Sequence, residues 1–289
     1  MPPRAAEREI IMKKILSVIA ACAMLVTMTA CGAKTNTAAT KTSDVPAVSS
    51  DLEYIKNNGK MVIGYTVYEP MNYTNESGEF VGFDTDFAKA VCEKLGVKPE
   101  FVEINWDTKE TELSAKSIDC IWNGFTITDE RKENLAFTDP YIENKQVVVI
   151  RAKDADKYTS TESLKAANLV AEIESAGEDT IKDDENLKNA NYVAVNKQTD
   201  GLLEVKSGTA DAVVLDYTLA SAMVGAGTSY SDLKIIDNLD LNVEEYGIGF
   251  RKGSDAAAEV NKIRKELVAD GTMEKIAEKY DLQAILIKE

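Results

Sequence analysis

The chain has 289 residues, of which 44% are hydrophobic and 28% charged, a composition typical of a globular protein with one large or two medium domains. Its formal net charge of −16 argues against nucleic acid and an anionic membrane surface as binding partners. Because the sequence has no histidine, it excludes Ser-His-Asp and Cys-His catalysis and every metal site with a histidine ligand. The four cysteines form no C-x-x-C motif, so we expect neither a metal site nor another cofactor.

Residues 1–30 are predicted to be a signal segment. A short basic stretch follows Met12, which we take as the true start, and the apolar run 15–26 is too short to span a membrane comfortably. The letters T-A-C-G that close the run resemble a bacterial lipoprotein signal, in which Cys31 is lipidated and becomes the mature N-terminus. The alternative is an ordinary secretory signal with a cysteine present by chance. Residues 31–50, rich in Thr, Ala and Ser, are predicted to be a flexible tether.

From residue 51 onward, short apolar strands alternate with amphipathic helices. The repeated βαβαβ order favours an open parallel sheet. In the first half of the chain, the predicted elements are a strand at 60–66, a helix at about 85–95 capped by Asp84, a strand at 100–104, a helix near 109–115 and a strand at 118–122.

The same pattern then begins again, so the sequence predicts two units of similar size. Asp119 and Asp211 open the third strand of each unit, and we interpret both as turn or cap residues. The predicted elements of the second unit are a strand at 168–173, a helix at 175–182, a strand at 192–195, a helix at 199–206 and a strand at 211–215 that ends at Asp216.

Two extended stretches, 146–151 and 241–250, connect the units. Two crossings imply that the last segment returns to the first unit, where it supplies a helix capped by Ser254 and a second short helix after Gly271. A double crossing is a natural hinge. The predicted lobes are therefore 51–145 with 246–289 for lobe 1, and 146–245 with the hinge strands for lobe 2. Within lobe 1, Cys92 and Cys120 are expected to be buried, unbridged thiols.

The segment 122–131 is the most informative stretch of the chain. Its strand runs into Gly124, which lets the backbone approach a ligand closely, and Thr128 lies where a helix would begin. Backbone amides near Thr126 and the planar guanidinium of Arg131 together make a receptor for a small carboxylate. The alternative interpretation is a capped helix with a surface arginine.

Asp216 lies at the equivalent strand end of the second unit. Ligands of open α/β sheets bind at the carboxyl ends of strands. If the two units face each other, Arg131 and Asp216 present opposite charges, which match the α-carboxylate and α-ammonium of an amino acid. Asp216 could instead be a buried capping residue.

Seven segments between residues 51 and 280 carry motifs: G-K-M-V-I-G-Y-T (59–66), V-G-F-D-T-D-F-A-K-A-V (81–91), N-G-F-T-I-T-D-E-R (123–131), F-T-D-P-Y (137–141), A-D-A-V-V-L-D (210–216), Y-G-I-G-F-R-K-G (246–253) and A-D-G-T-M-E-K-I-A-E-K-Y (269–280). In this order and spacing they resemble the solute-binding proteins of polar amino acid ABC importers. The resemblance implies an α/β, two-lobe periplasmic-binding-protein-like fold. Each lobe would be an open, mostly parallel sheet flanked by helices, and two hinge crossings would join the lobes.

The resemblance also implies roles for individual residues. Arg131 and the Thr126 backbone would hold the ligand α-carboxylate, and Asp216 would hold the α-ammonium with the Gly124 carbonyl. Ser175 matches a threonine that lends its amide and hydroxyl to the carboxylate. The aromatic walls would be Tyr65, Tyr68 and Trp106, with Asn123 beside them. Packing within a lobe is the alternative role of Trp106 and Tyr68.

Two residues depart from the family pattern. Glu174 replaces a glycine near the expected carboxylate site, so its side chain must point away or the lobe 2 contact is weaker than usual. Glu172 replaces a glutamine or a basic residue, so it either selects a cationic or amide ligand side chain or is a solvated acid.

The signal segment and this resemblance together predict a lipid-anchored, extracytoplasmic and monomeric binding protein rather than an enzyme. It would capture a polar amino acid by hinge closure and deliver it to an ABC permease, whose ATPase subunit, like the permease, is a separate chain. One alternative is a cleft enzyme of the same fold, such as a cyclohexadienyl or arogenate dehydratase, with Glu172 as its acid. The other is an amino acid sensor module with a separate membrane partner.

Overall fold

The computed structural model describes residues 50–239 and 241–289, so the predicted signal segment, Cys31 and nearly all of the tether lie outside the described residues. None of the helices in the described part is long and apolar enough to cross a membrane. Its α-helices are α1 (Asp51–Asn58), α2 (Phe83–Leu95), α3 (Lys109–Ser114), α4 (Asp129–Asn134), α5 (Ala176–Asp183), α6 (Gln198–Ser207), α7 (Tyr217–Met223), α8 (Ala256–Ala269) and α9 (Thr272–Lys279).

The strands of the described residues form two large sheets and one small hairpin. Sheet 1 has the order β4-β1-β5-β13-β6, sheet 2 has the order β11-β7-β10-β8-β9, and β2 pairs with β3. Their bounds are β1 (Lys60–Tyr65), β2 (Tyr73–Thr74), β3 (Phe80–Val81), β4 (Lys98–Glu103), β5 (Cys120–Ile121), β6 (Leu135–Phe137), β7 (Ile142–Arg151), β8 (Asn168–Glu172), β9 (Asn191–Val195), β10 (Ala212–Asp216), β11 (Leu233–Ile235), β12 (Val243–Tyr246) and β13 (Gly249–Arg251).

The two sheets repeat one arrangement. The first strand of each unit lies between its second and third strands and runs parallel to both, as β1 does with β4 and β5, and β8 with β9 and β10. An antiparallel strand then flanks the third strand: β13 in sheet 1 and β7 in sheet 2. The predicted α/β fold with two sheet-containing lobes is therefore confirmed. The residue limits proposed for each lobe remain a prediction.

An aspartate at the start of each third strand anchors this arrangement. The Oδ2 of Asp119 accepts a hydrogen bond from Val62 N, and its Oδ1 lies 3.2 Å from Arg251 Nη2. In sheet 2, Asp211 accepts from Asn168 N and lies 3.2 Å from Arg151 Nη2. Both aspartates thus fix the first strand of their unit and also bind an arginine of the flanking antiparallel strand. This extends the turn role predicted for them.

The two chain crossings lie side by side as an antiparallel ribbon. Strand β7 pairs with β12 at its beginning, from Ile142 opposite Tyr246 to Lys145 opposite Val243, and with β10 and β11 toward its end. The crossings therefore meet slightly earlier in the first stretch than the predicted range 146–151. Because both strands of the ribbon pass between the sheets, the ribbon is the place where a hinge would bend.

Two predicted helix caps are wrong. Gly82 occupies the N-cap position of α2, and Asp84 lies in the first turn with its side chain fully buried. The carboxylate is drawn inward because its Oδ2 accepts a 2.7 Å hydrogen bond from Gly124 N, which belongs to a distant segment. Helix α8 begins after Asp255, while Ser254 Oγ only accepts a 3.3 Å bond from Ala256 N.

Gly96 ends α2 in a left-handed conformation, and α8 buries Val260, Ile263 and Leu267. The prediction for the two cysteines of lobe 1 is confirmed. The thiols of Cys92 and Cys120 are both buried and unbridged, and burial raises the pKa of each, that of Cys92 to about 12. The predicted strand at 118–122 is shorter than expected and contains only the two residues of β5.

Candidate functional site

Arg131 lies in the first turn of helix α4, where Thr128 caps the helix by accepting a hydrogen bond from Arg131 N at 3.1 Å. The cap fixes the start of the helix, and the side chain folds back along the preceding segment. Its Nη1 donates to Thr126 O at 2.8 Å, and its guanidinium lies 4.8 Å from the Phe125 ring centroid. The predicted cap is therefore present, and the arginine is buried rather than on the surface.

The carbonyl of Glu174 faces Arg131 from the side of sheet 2. Arg131 Nη2 donates to Glu174 O at 3.2 Å, and Lys109 Nζ donates to the same oxygen at 3.1 Å. Glu174 has a φ of +57°, a left-handed conformation that is uncommon for a residue with a side chain. That conformation aims its carbonyl at two cations while its carboxylate stays exposed. The contact of Glu174 with the two cations is therefore made by its backbone carbonyl.

Lys109 was not recognised from the sequence as a site residue. It is buried, and it also donates to Trp106 O at 3.0 Å, with its Nζ lying 5.0 Å from the Trp106 ring centroid. Burial, together with the charge of Arg131, lowers the pKa of Lys109 to about 8. A lysine one turn after an aromatic residue is typical of the exposed face of a surface helix. The local sequence pattern therefore does not indicate that Lys109 belongs to the site.

Asp216 is held at the end of strand β10 by three side-chain amides. Its Oδ1 accepts from Asn144 Nδ2 at 2.8 Å and from Gln146 Nε2 at 2.7 Å, while its Oδ2 accepts from Gln198 Nε2. Asp216 N in turn donates to Gln198 Oε1 at 3.1 Å. These bonds fix the direction of a buried carboxylate at the carboxyl edge of sheet 2, where a ligand of this fold class binds.

Glu244 is a second carboxyl group beside Asp216. Its Oε1 accepts from the same two amides, Asn144 Nδ2 at 2.6 Å and Gln146 Nε2 at 2.9 Å. Burial and the charge of Asp216 raise the pKa of Glu244 well above its ordinary value. Glu244 was not recognised from the sequence, because strand β12 turns it inward and leaves Val243 65% exposed.

Glu172 ends strand β8, next to β10 in sheet 2. Only 2% of it is exposed, and its Oε1 has no hydrogen-bond partner among the residues that the structure describes. Burial and the charge of Asp216 raise the pKa of Glu172 to about 8, and the charge of Lys109 opposes part of that shift. Glu172 is therefore not a solvated acid, which was the alternative role that the sequence analysis left open.

Ser175 is the N-cap of helix α5. Its Oγ accepts from Glu178 N at 3.2 Å and donates to Glu172 O at 2.7 Å. The hydroxyl that the resemblance assigns to a ligand carboxylate is therefore engaged with the helix and with the backbone of Glu172. Its contact with a ligand stays a prediction.

Gly124 lies between two tyrosine rings. Tyr68 and Tyr246 share a hydrogen bond of 2.7 Å between their hydroxyls. A Cβ atom on Gly124 would lie 2.7 Å from Tyr68 Cε1 and 3.0 Å from Tyr246 Cε2, and the residue has a φ of +54°. The Gly124 N–H binds Asp84, whose pKa is raised to about 7 by burial even though this bond opposes the shift. Glycine is required here by space as well as by conformation.

The structure separates some of the predicted aromatic and amide contacts. Asn123 is buried, and its side chain bonds to Thr66 and Asn72, so it joins two loops of the sheet 1 half. Tyr65 packs against Phe80 with ring centroids 4.7 Å apart and is only half-buried. Trp106 meets Phe125 edge-on at 5.5 Å, which places it next to the ring under Arg131.

A cavity of about 480 Å³ opens beside Arg131 and is lined from both halves of the molecule. Its lining is mainly charged, so a polar ligand suits it better than an apolar one. The lining residues are Asp107, Lys109, Glu110, Thr128, Glu130, Arg131, Asn134, Glu174, Asp179 and Lys182.

Comparison with known proteins shows which proteins the chain is similar to. Residues 61–283 match the family model described as bacterial extracellular solute-binding proteins, family 3. The histidine-binding periplasmic protein of Escherichia coli K12 is 33% identical over 221 residues, which cover 74% of this chain and 84% of the relative. The arginine-binding extracellular protein ArtP of Bacillus subtilis is 28% identical over 272 residues, covering 93% and 98%.

Among solved structures, the chain is similar to an amino acid ABC transporter substrate-binding protein from Streptococcus pneumoniae bound to L-arginine. The TM-score is 0.72 and the sequence identity 30%, with 80% of this chain and 97% of the other covered. The likeness thus extends over nearly the whole described part of the chain.

Proposed function

Because the chain belongs to family 3 of the bacterial extracellular solute-binding proteins, we propose that it binds a polar amino acid between its two sheets and delivers it to an ABC permease. The observation that carries the proposal is that each half of the molecule buries one charged group, a cation in the sheet 1 half and an anion at the end of a sheet 2 strand. Arg131 lies in helix α4, which comes after strand β5 of sheet 1 in the chain, and Asp216 is the last residue of the sheet 2 strand β10. A free amino acid offers one carboxylate and one ammonium to this pair.

The contacts described above suggest how capture proceeds. Arg131 already donates to the Glu174 carbonyl, and a ligand carboxylate would be a stronger acceptor because it is charged. The amides of Asn144, Gln146 and Gln198 hold Asp216 in place for the ammonium, so little ordering remains to be done on binding. Only a closed arrangement completes both sets of contacts, so ligand shifts the population toward it.

The relatives support an amino acid as the ligand. They include proteins named for binding histidine, arginine, cystine and glutamine. These names support a binding role over catalysis. The buried acid Glu172 is the observation that would favour a dehydratase, and the same fold includes an ancestral amino acid-binding protein described as a precursor of cyclohexadienyl dehydratase. Incubation with prephenate and arogenate, followed by product chromatography, separates the two functions: we expect no product.

We also propose a lipid anchor. Cys31 would carry a diacylglyceryl group and hold the protein on the outer face of the membrane as a monomer, with separate permease and ATPase chains as partners. Two acyl chains suffice for stable anchoring. Mass spectrometry of the native N-terminus should find a mature chain that begins at a modified Cys31. An unmodified Cys31, or a different first residue, would contradict the anchor without affecting ligand binding.

A thermal-shift screen against the common amino acids tests the central proposal. A ligand at about 100 times its Kd should add about 2.7 kcal/mol to the free energy of unfolding. At least one polar amino acid should raise the melting temperature, and isothermal titration calorimetry should confirm a single site. If no amino acid changes the melting temperature, the proposed function is wrong.

A further inference from the structure

We propose that the cleft selects amino acids whose side chain is positively charged, and that Glu172 accepts this charge and loses its proton when such a ligand binds. This inference rests on the proposed function, because it names the ligand class of the same cleft. The inference assigns Glu172 as a specificity-determining residue, and it predicts that a proton is released when the ligand binds.

The position of Glu172 is the first argument. It is the last residue of β8, and the register of β8 with β10, with Val170 opposite Val213, places it at the edge of sheet 2 that also bears Asp216. Asp216 would be used by the ligand ammonium. A second acid at the same edge, almost fully buried and with one oxygen lacking a partner in the described residues, is placed to meet a second positive group of the same ligand.

The charges around Glu172 are the second argument. Asp216 and Asp200 disfavour its ionisation, while Lys109 and Lys197 favour it. Both lysines have other partners. Lys109 donates to the carbonyls of Glu174 and Trp106, and Lys197 lies 2.5 Å from Glu103 Oε1. Neither therefore satisfies the unpaired oxygen of Glu172, and a buried carboxylate without a cation is costly. A ligand guanidinium or ammonium would supply the missing charge.

The proton follows from the same surroundings. Burial and Asp216 raise the pKa of Glu172 to about 8, so at pH 7 the group is mostly protonated before binding. A cation beside it favours the ionised form, and the proton leaves to solvent. The affinity for a cationic ligand should then rise with pH by up to tenfold per unit below about pH 8, while the affinity for a neutral isostere stays flatter.

Calorimetry with L-arginine and L-citrulline tests this inference. The two ligands share shape and α-groups, and only arginine has a charged side chain. Titrations at pH 7 in phosphate and in Tris, whose ionisation enthalpies differ, count the protons released. Citrulline reports any proton that leaves Glu244 when the α-ammonium binds nearby, so the difference between the ligands belongs to the side chain. We expect arginine to bind at least tenfold more tightly than citrulline and to release about one more proton.

Two variants assign the effect to Glu172. Glu172→Gln keeps the size of the side chain, and it should bring the arginine and citrulline affinities within about threefold of each other and abolish the extra proton. Glu185→Gln is the control, because it removes a carboxylate of the same half that is 85% exposed and does not line the cavity, and it should change neither quantity. A melting curve checks that both variants are folded.

The outcomes separate the two proposals. If wild-type protein binds a neutral amino acid as tightly as arginine or lysine, or if Glu172→Gln leaves the ligand ratio and the proton count unchanged, the role of Glu172 is wrong and amino acid binding still stands. If no amino acid binds at all, the proposed function itself fails and the inference falls with it.

Discussion

Lys109 Nζ donates a hydrogen bond of 3.1 Å to the carbonyl oxygen of Glu174 and thereby joins the sheet 1 half of the molecule to the sheet 2 half. Arg131, also in the sheet 1 half, donates to the same oxygen. A second link is the ion pair between Glu103 of the sheet 1 half and Lys197 of the sheet 2 half. These contacts are made by protein groups alone. These contacts therefore stabilise the closed arrangement of the two halves independently of a ligand.

Lys109→Met should weaken this closure. A hydrogen bond to a charged group contributes about 1.5–3 kcal/mol, so we expect the ligand-free protein to open and the affinity for the best amino acid to fall by about tenfold or more. Small-angle scattering should show a larger radius of gyration only without ligand. Lys188→Met is the control, because Lys188 pairs with Glu185 within its own surface segment. Unchanged scattering in Lys109→Met would mean that the lysine does not hold the halves together.

Arg131→Ala and Asp216→Asn should each reduce affinity for every amino acid that the protein binds. Removing one partner leaves a charged group of the ligand buried without its counterpart, which costs about 2–5 kcal/mol. That corresponds to roughly thirtyfold to several thousandfold in Kd by calorimetry. Lys132→Ala, next to Arg131 but exposed, should have no effect. A folded Arg131→Ala that keeps its affinity within about threefold would refute the charge pairing.

Asp84→Asn should flatten the pH dependence of stability between about pH 4 and 7. The folded pKa of about 7 lies above the ordinary value of 3.8, because burial outweighs the bond from Gly124. Over this window the folded form holds a proton that the unfolded form lacks, so the free energy of unfolding falls as pH rises, by up to about 1.4 kcal/mol per pH unit per proton. Glu172 and Glu244 act in the same direction up to about pH 8.

Melting curves from pH 4 to 8 measure this slope. Asp86→Asn is a control on the same helix: burial opposes its ionisation, but hydrogen bonds from Lys279 and Tyr280 outweigh that effect and lower its pKa. The stability that Asp86 contributes is present above its ordinary pKa and is lost only in stronger acid. Asp86→Asn should therefore lower stability without changing the slope above pH 5. Equal slopes in Asp84→Asn and wild type would show that Asp84 does not bind a proton in this range.

Gly124→Ala should destabilise the protein by about 1–3 kcal/mol and separate the tyrosine pair. The added methyl group would press on the rings of Tyr68 and Tyr246, in addition to the strain of the positive φ. Gly78→Ala is the control, since it also has a positive φ but nothing within 4 Å of the added atom. Denaturant unfolding of both variants isolates the steric part, and equal losses would show that the tyrosines yield without cost.

The sequence predicted those features that depend on neighbouring residues. The N-cap at Thr128 and the Arg131 that follows it depend on a local signal, and the helix and strand periods identified the three parallel strands of each sheet. Asp84 was misread because the cap rule is local, whereas its partner Gly124 comes from another segment. Glu244 was missed because the pairing of β12 with β7 decides which side of the strand faces inward. Long-range partners thus set the details of the site.

Strand β13 lies between β5 and β6 in sheet 1, although it comes from near the end of the chain. Sheet 2 and the ribbon, by contrast, use one continuous stretch, from β7 to β12. As a chain is synthesised, domains fold as units when their residues become available. The second half therefore has all of its strands first, and the first half stays unfinished until Arg251 reaches Asp119. We therefore expect the second half to complete its sheet before the first, and a C-terminal truncation before β13 to leave sheet 2 complete and sheet 1 without its fourth strand.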